Sequence, residues 1–151
     1  LKEFEDFLHT AGIDKNLIIN TGVDGIKRLY FDGITPLPFF RVASNGTLAL
    51  YTFFYWYKTA KNVSLMFIDE FDAYYHYELA ETIVSIIEKM NNTQVILTSH
   101  NTNLLSNKIM RPDCYFIIAN NKITSFANAT ARELREGHNL EKLYMSGEFD
   151  E

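Results

Sequence analysis

The sequence predicts an α/β domain with parallel central strands flanked by helices and a small antiparallel hairpin. Three observations carry that reading. The short continuous apolar runs "VSLMFI" (63–68) and "TQVILTSH" (93–100) have the character of strands covered on both faces. Between them Tyr75, Leu79, Ile83, Ile86, Ile87 and Met90 recur at helical spacing. A third apolar run, in "DCYFIIANNKITSF", turns back on itself at Asn120-Asn121. The strands near 64–69, 94–99 and 114–119 are expected to be parallel.

The remaining elements follow in chain order. "LKEFEDFLHTAG" places Leu1, Phe4, Phe7 and Leu8 on one helical face, with Gly12 as a stop. "NLIINTGVDGIKRLYFDG" has two apolar stretches around Gly22 and Asp24-Gly25, the pattern of a hairpin. "TPLPFFRV" is expected to be extended because of its two prolines. From Ser44 to about Tyr57 aromatic and apolar residues surround a whole helix, which predicts burial on most sides. "NTNLLS" reads as a short helix, and "ATARELREGHNLEKLYM" as a longer one.

Composition narrows the function classes. With 151 residues, 47% hydrophobic and 15% aromatic, the chain is one domain or part of one and can bury a core. Its net charge of −5 gives no chain-wide basic surface for nucleic acid, although a local patch stays open. Arg111, Arg132 and Arg135 are too dispersed to make one. The single cysteine, Cys114, forms no internal disulfide and fits a reducing cytoplasm; it is expected inside a strand as a packing residue. No apolar run approaches the roughly 18 residues of a membrane span. The chain begins with Leu1 rather than Met, which suggests a fragment of something longer.

Asp69 and Glu70 stand at the end of the first apolar run, where adjacent carboxylates repel. In an α/β sheet ligands bind beyond the carboxyl ends of parallel strands. A divalent cation would absorb the repulsion, with Asp69 holding Mg²⁺ through water and Glu70 orienting and deprotonating an attacking water. Ser99 and His100 close the next strand, from which His100 could reach a transferred phosphoryl group. The alternative is that acidic residues mark a strand end and His100 caps a helix.

"ASNGT" (43–47) opens the aromatic helix. Ser44 or Asn45 can cap it, Gly46 removes a side chain, and free N–H groups with the helix dipole behind them suit a phosphate. An ordinary N-cap is the competing reading.

The order "ASNGT", helix, "LMFIDE", "FDAYYH", helix, "QVILTSHN" resembles the C-terminal half of an ABC-type ATPase domain, a P-loop NTPase. The resemblance is to the AAA ATP-binding proteins grouped with OLD, RecF and SMC-type ATPases, especially stand-alone bacterial ones linked to phage defence. "FEDFLHTAGID" and "HNLEKLYMSGEF" resemble the segments that flank those motifs in the family, so nearly all of 1–151 is covered. The resemblance implies that Asp69 serves Mg²⁺, Glu70 is the base and His100 contacts the γ-phosphate. It implies that Ser44, Asn45, Gly46 and Thr47 bind the γ-phosphate of ATP held by a second copy of the protein. Asp72 and His76 then fall in the D-loop region at the subunit interface. By their residue types alone, Asp72 suits a helix cap better than a third metal carboxylate, and His76 suits a hydrogen-bonded helix start equally well.

The departure is the missing P-loop. No stretch reads G-x-x-x-x-G-K-[ST], whose backbone and lysine cradle the phosphates. The chain is therefore expected to be the C-terminal half of a longer ATPase and not to hold ATP tightly by itself. "GEFDE" also lacks the family's usual continuation. Three function classes follow. The first is a dimerising ATP hydrolase that drives or gates a defence or DNA-related effector. The second is a non-hydrolysing, nucleotide-dependent assembly module. The third, a Toprim-like metal-dependent nuclease, would need an acidic residue ending an earlier parallel strand, where "LIIN" supplies Asn20. Glu70 favours hydrolysis, since a scaffold has no use for a base.

Overall fold

The computed structural model describes residues 1–33 and 36–149, with the backbone alone of Lys61. The fold is mixed α/β, in two compact units, Leu1–Thr98 and Ser99–Glu151. Among the described residues the strands form three two-stranded sheets.

The first unit begins with α1 (Lys2–Thr10), which buries Phe4, Phe7 and Leu8 as its spacing predicts, while Leu1, expected on the same face, is the N-cap and is exposed. Strands β1 (Leu17–Thr21) and β2 (Lys27–Phe31) form the expected antiparallel hairpin, with Leu17 opposite Phe31 and Thr21 opposite Lys27. Gly25 takes the turn at φ +76°, and the Asp24 carboxylate accepts from the Ile26 N–H at 3.1 Å and from Arg28 Nη1 at 2.7 Å.

The segment expected to be extended contains a short helix, α2 (Phe39–Val42). Pro36 and Pro38 both precede it, with Pro38 at the N-cap, so neither deprives the helix of a hydrogen bond. Thr35 lies outside the described residues. Helix α3 (Asn45–Thr59) follows, capped by Ser44. It buries Thr47, Leu50 and Phe53 but leaves Tyr55 and Trp56 more than half exposed, so the all-round burial expected of it is not realised. Its covered side meets α1 through aromatic contacts, Phe7 against Phe53 at 5.9 Å and Phe4 against Tyr51 at 5.4 Å. Phe39 from α2 fills the same core and is fully buried.

Strands β3 (Leu65–Ile68) and β4 (Gln94–Leu97) pair in parallel, Leu65 opposite Gln94 and Ile68 opposite Leu97. Helix α4 (Tyr77–Ile87) crosses between them and buries Leu79, Ala80, Ile83 and Val84. The pair was expected to be covered on both faces. One face is half-buried through Met66, Ile68, Val95 and Leu97, while Leu65, Phe67 and Ile96 are exposed on the other.

In the second unit β5 (Phe116–Ala119) and β6 (Lys122–Ser125) form an antiparallel hairpin about Asn120 (φ +51°) and Asn121 (φ +60°). The turn is where the sequence puts it, but the strand is antiparallel to its partner, not part of a parallel set. Cys114 belongs to a 3₁₀ turn (Pro112–Cys114) rather than a strand, and it is exposed. The expected long final helix is α5 (Leu140–Met145) alone. Asn139 caps it, accepting from Lys142 N–H at 2.8 Å. Upstream, Asn107 Nδ2 donates to the carbonyls of Arg135, Glu136 and His138, which holds that stretch as turns. Tyr115, Phe126, Leu140 and Phe149 make the unit's core. Among the described residues no helix is long and apolar enough to cross a membrane.

Candidate functional site

The carboxylates are placed by the parallel ladder of the first unit. It runs one step past the paired strands, where Thr98 N–H donates to the Ile68 carbonyl at 3.1 Å. Asp69 and Glu70 follow at the carboxyl end of β3 and are both exposed. Thr98 Oγ1 donates to Asp69 Oδ1 at 2.5 Å and accepts from Glu70 N–H at 2.7 Å. Glu70 itself sits in the left-handed region at φ +44°, a conformation that costs a non-glycine residue about 1–3 kcal/mol. Such strain persists only where surrounding bonds hold it. Here Phe71 N–H to the Thr98 carbonyl (3.1 Å) and Ala73 N–H to the Glu70 carbonyl (3.0 Å) do so.

The turn after Glu70 leads into α4. Asp72 lies inside it, its carbonyl accepting from Tyr75 N–H at 3.0 Å. The N-cap of α4 is His76, so Asp72 is not the cap the sequence suggests. His76 makes no side-chain cap bond; its Nε2 is 3.9 Å from Glu78 Oε2 on an exposed surface.

The "ASNGT" loop begins α3 as expected. Ser44 Oγ accepts from Thr47 N–H at 3.2 Å and lies 2.9 Å from Thr47 Oγ1. Ser44 and Asn45 are exposed, Gly46 is half-buried and Thr47 is buried. A Cβ on Gly46 would stand 3.0 Å from the Tyr74 carbonyl oxygen, so this loop is packed against the turn that follows Glu70. A cavity of about 760 Å³ joins the same elements, lined by Phe53 and Trp56 of α3, Phe67 of β3, and Asp69, Glu70 and Tyr74 of the turn. Burial pushes the Tyr75 hydroxyl on its wall up to about 12, which keeps it protonated.

His100 lies in the second unit, two residues after Thr98 in the chain, exposed and outside any helix or strand. The adjacent Ser99 Oγ accepts from Asn101 N–H at 2.9 Å. Asn101 caps the following 3₁₀ turn (Thr102–Leu104), so the cap there is not His100. The strand that a third nuclease carboxylate would have to end, β1, is antiparallel to its partner.

Mg²⁺ keeps most of its waters and asks for one or two carboxylates plus substrate phosphates. Asp69 meets that demand: Thr98 fixes one carboxylate oxygen, and the other takes no hydrogen bond among the described residues. An all-protein cage is a different matter, since no three His, Cys, Asp or Glu residues cluster among the described residues.

Sequence reasoning missed Thr98 and Tyr74. The signal for Thr98 was present, because aligning the apolar runs "LMFI" and "QVIL" as neighbouring parallel strands sets Asp69 beside it. Nothing in the sequence announced that a carbonyl at Tyr74 would meet Gly46.

Residues 2–106, which take in all of these segments, match the family described as "AAA domain, putative AbiEii toxin, Type IV TA system". No curated protein matches the chain.

Proposed function

The chain belongs to the AAA domain family described as putative AbiEii toxin, and on that footing we propose that it is the C-terminal half of an ABC-type ATPase of the OLD/RecF/SMC-like kind. Membership gives the coarse function, an ATPase-type nucleotide-binding domain. The finer reading is a hydrolase that dimerises around ATP and gates a defence or DNA-related effector.

One observation carries it: two carboxylates at the end of a parallel strand, with Glu70 held in a strained backbone conformation by Thr98. Strain of this kind clusters where chemistry needs a side chain aimed in one direction. Glu70 acts as the base that takes a proton from the attacking water. Asp69 holds Mg²⁺ through water, and the ion when bound neutralises charge on the phosphates. His100 contacts the γ-phosphate. Ser44, Asn45, Gly46 and Thr47 serve the ATP of a second copy, with Thr47 hydrogen-bonded to Ser44, and Asp72 and His76 lie at that subunit interface.

A P-loop must come from elsewhere, since G-x-x-x-x-G-K-[ST] does not occur in these 151 residues. The uncovered face of β3 and β4, with Leu65, Phe67 and Ile96, supports the same reading, because parallel sheets are ordinarily covered on both faces. The P-loop-bearing half would supply that cover.

The test is Asn45→Asp in the complete ATPase, meaning this chain with its P-loop-bearing half. Asn45 is the exposed first residue of α3, where a carboxylate favours the helix but repels a phosphate. Sedimentation should show that ATP no longer drives dimerisation, while the monomer still binds nucleotide. ATP-dependent dimers that persist in the variant would remove the loop from the site.

A further inference from the structure

We infer that Thr98 is a positioning residue for the proposed hydrolysis, acting through Asp69 and Glu70. The inference rests on the ATPase reading, but its geometry stands by itself. Thr98 spends every hydrogen-bonding group it has on four consecutive residues. Its N–H donates to the Ile68 carbonyl, its hydroxyl donates to Asp69 Oδ1 and accepts from Glu70 N–H, and its carbonyl accepts from Phe71 N–H.

The side chain must be a hydroxyl for this to work. An ionised Asp69 only accepts and the Glu70 N–H only donates, so the group between them has to do both within one short reach. Threonine does so with a β-branched side chain suited to the end of a strand. The two bonds have one consequence each. The first fixes an oxygen of the carboxylate assigned to the metal. The second fixes the peptide that leads into Glu70, whose left-handed backbone sets where its carboxylate points.

Thr98 is half-buried, and Asp69 and Glu70 are exposed. Water can satisfy both if the hydroxyl is lost, so the fold should survive while the aim of the two carboxylates loosens.

Thr98→Val keeps the shape and both backbone bonds but removes the hydroxyl; Thr98→Ser keeps the hydroxyl. Amide hydrogen exchange on this chain tests the geometry without any activity. In Thr98→Val the Glu70 amide should exchange about tenfold faster, while the Phe71 and Thr98 amides, bonded through backbone, keep their rates. Thr98→Ser should leave all three unchanged. Acceleration of all three in Thr98→Val would mean that the hydroxyl merely holds the turn folded, and an unchanged Glu70 amide would mean that it holds nothing; either overturns the inference.

The complete ATPase then reads the function. Thr98→Val should lower kcat about tenfold or more with KM for ATP within about twofold, and Thr98→Ser should recover most of the loss. Full turnover in Thr98→Val beside a dead Glu70→Gln control would defeat the role of Thr98 alone. Full turnover in both would defeat the hydrolysis reading, and the positioning role with it, whatever the exchange rates show.

Discussion

Gly46 and Tyr74 are packed backbone to backbone: a Cβ on Gly46 would lie 3.0 Å from the Tyr74 carbonyl oxygen. The chain's own packing thus favours a glycine here, apart from any phosphate. It joins the start of α3 to the turn that carries Glu70, so a shift of one is felt by the other.

Gly46→Ala sets two effects against each other. Alanine favours a helix by about 0.5–1 kcal/mol over glycine. Forcing a methyl group against a backbone carbonyl costs about 1–3 kcal/mol, because the obstacle cannot swing aside like a side chain. The clash should win, with a net loss of about 1 kcal/mol in denaturant unfolding. A stability equal to wild type or higher would show that the Tyr74 turn yields easily.

The start of the chain is fastened by a carboxylate. Glu5 Oε2 accepts from Leu17 N–H at 2.8 Å, and Lys2 Nζ lies 3.2 Å from the other oxygen. The Leu17 bond first and Lys2 second hold the Glu5 carboxyl below its ordinary value of 4.5. A depressed value in the folded state means stabilisation that is present above the ordinary value and lost as pH falls through the folded one. Glu5→Gln should therefore be less stable than wild type at about pH 7, and the gap should narrow at about pH 3. Urea midpoints at the two pH values decide it, and a gap that widens in acid would contradict the assignment.

In the second unit Tyr115 is buried, and its hydroxyl lies 2.7 Å from the Leu104 carbonyl and 2.9 Å from that of Ser106. It also accepts from Ser106 N–H at 3.2 Å. Ser106 N–H also donates to the Leu104 carbonyl, and Ile109 and Met110 N–H donate to the Ser106 carbonyl. Tyr115→Phe therefore removes hydrogen bonds without orphaning these groups and should cost about 0.5–1.5 kcal/mol. Amide exchange at Ser106 should accelerate in parallel. Unchanged protection there would mean that the bond to the Leu104 carbonyl alone protects the amide.

What was legible in the sequence was what local chemistry fixes. The Asp24-Gly25 and Asn120-Asn121 turns, the Ser44 cap and the helical face of Phe4, Phe7 and Leu8 all stand where residue type puts them. The failures have physical reasons. Apolar runs say "strand" without naming a partner, so β5 was expected in a parallel set when its hairpin turn pairs it with β6. Residues 129–139 carry a helical composition, yet Asn107, far off in sequence, takes the carbonyls of three of them. Tyr55 and Trp56 are aromatic and still exposed, because composition cannot say which side of α3 is covered. At the site, Asp69 and Glu70 were visible as a pair. The hydroxyl that joins them comes from Thr98, just past the end of β4, and it is legible only once the two apolar runs are aligned as neighbouring parallel strands.

The central claim is that Glu70 is the base of an ATP hydrolase, and Glu70→Gln in the complete ATPase tests it most directly. The substitution keeps size and hydrogen bonding but cannot take a proton, so steady-state hydrolysis should fall about 10²-fold or more. ATP binding should survive, and ATP-bound dimers should accumulate because they no longer turn over. Hydrolysis at the wild-type rate in Glu70→Gln would contradict the account.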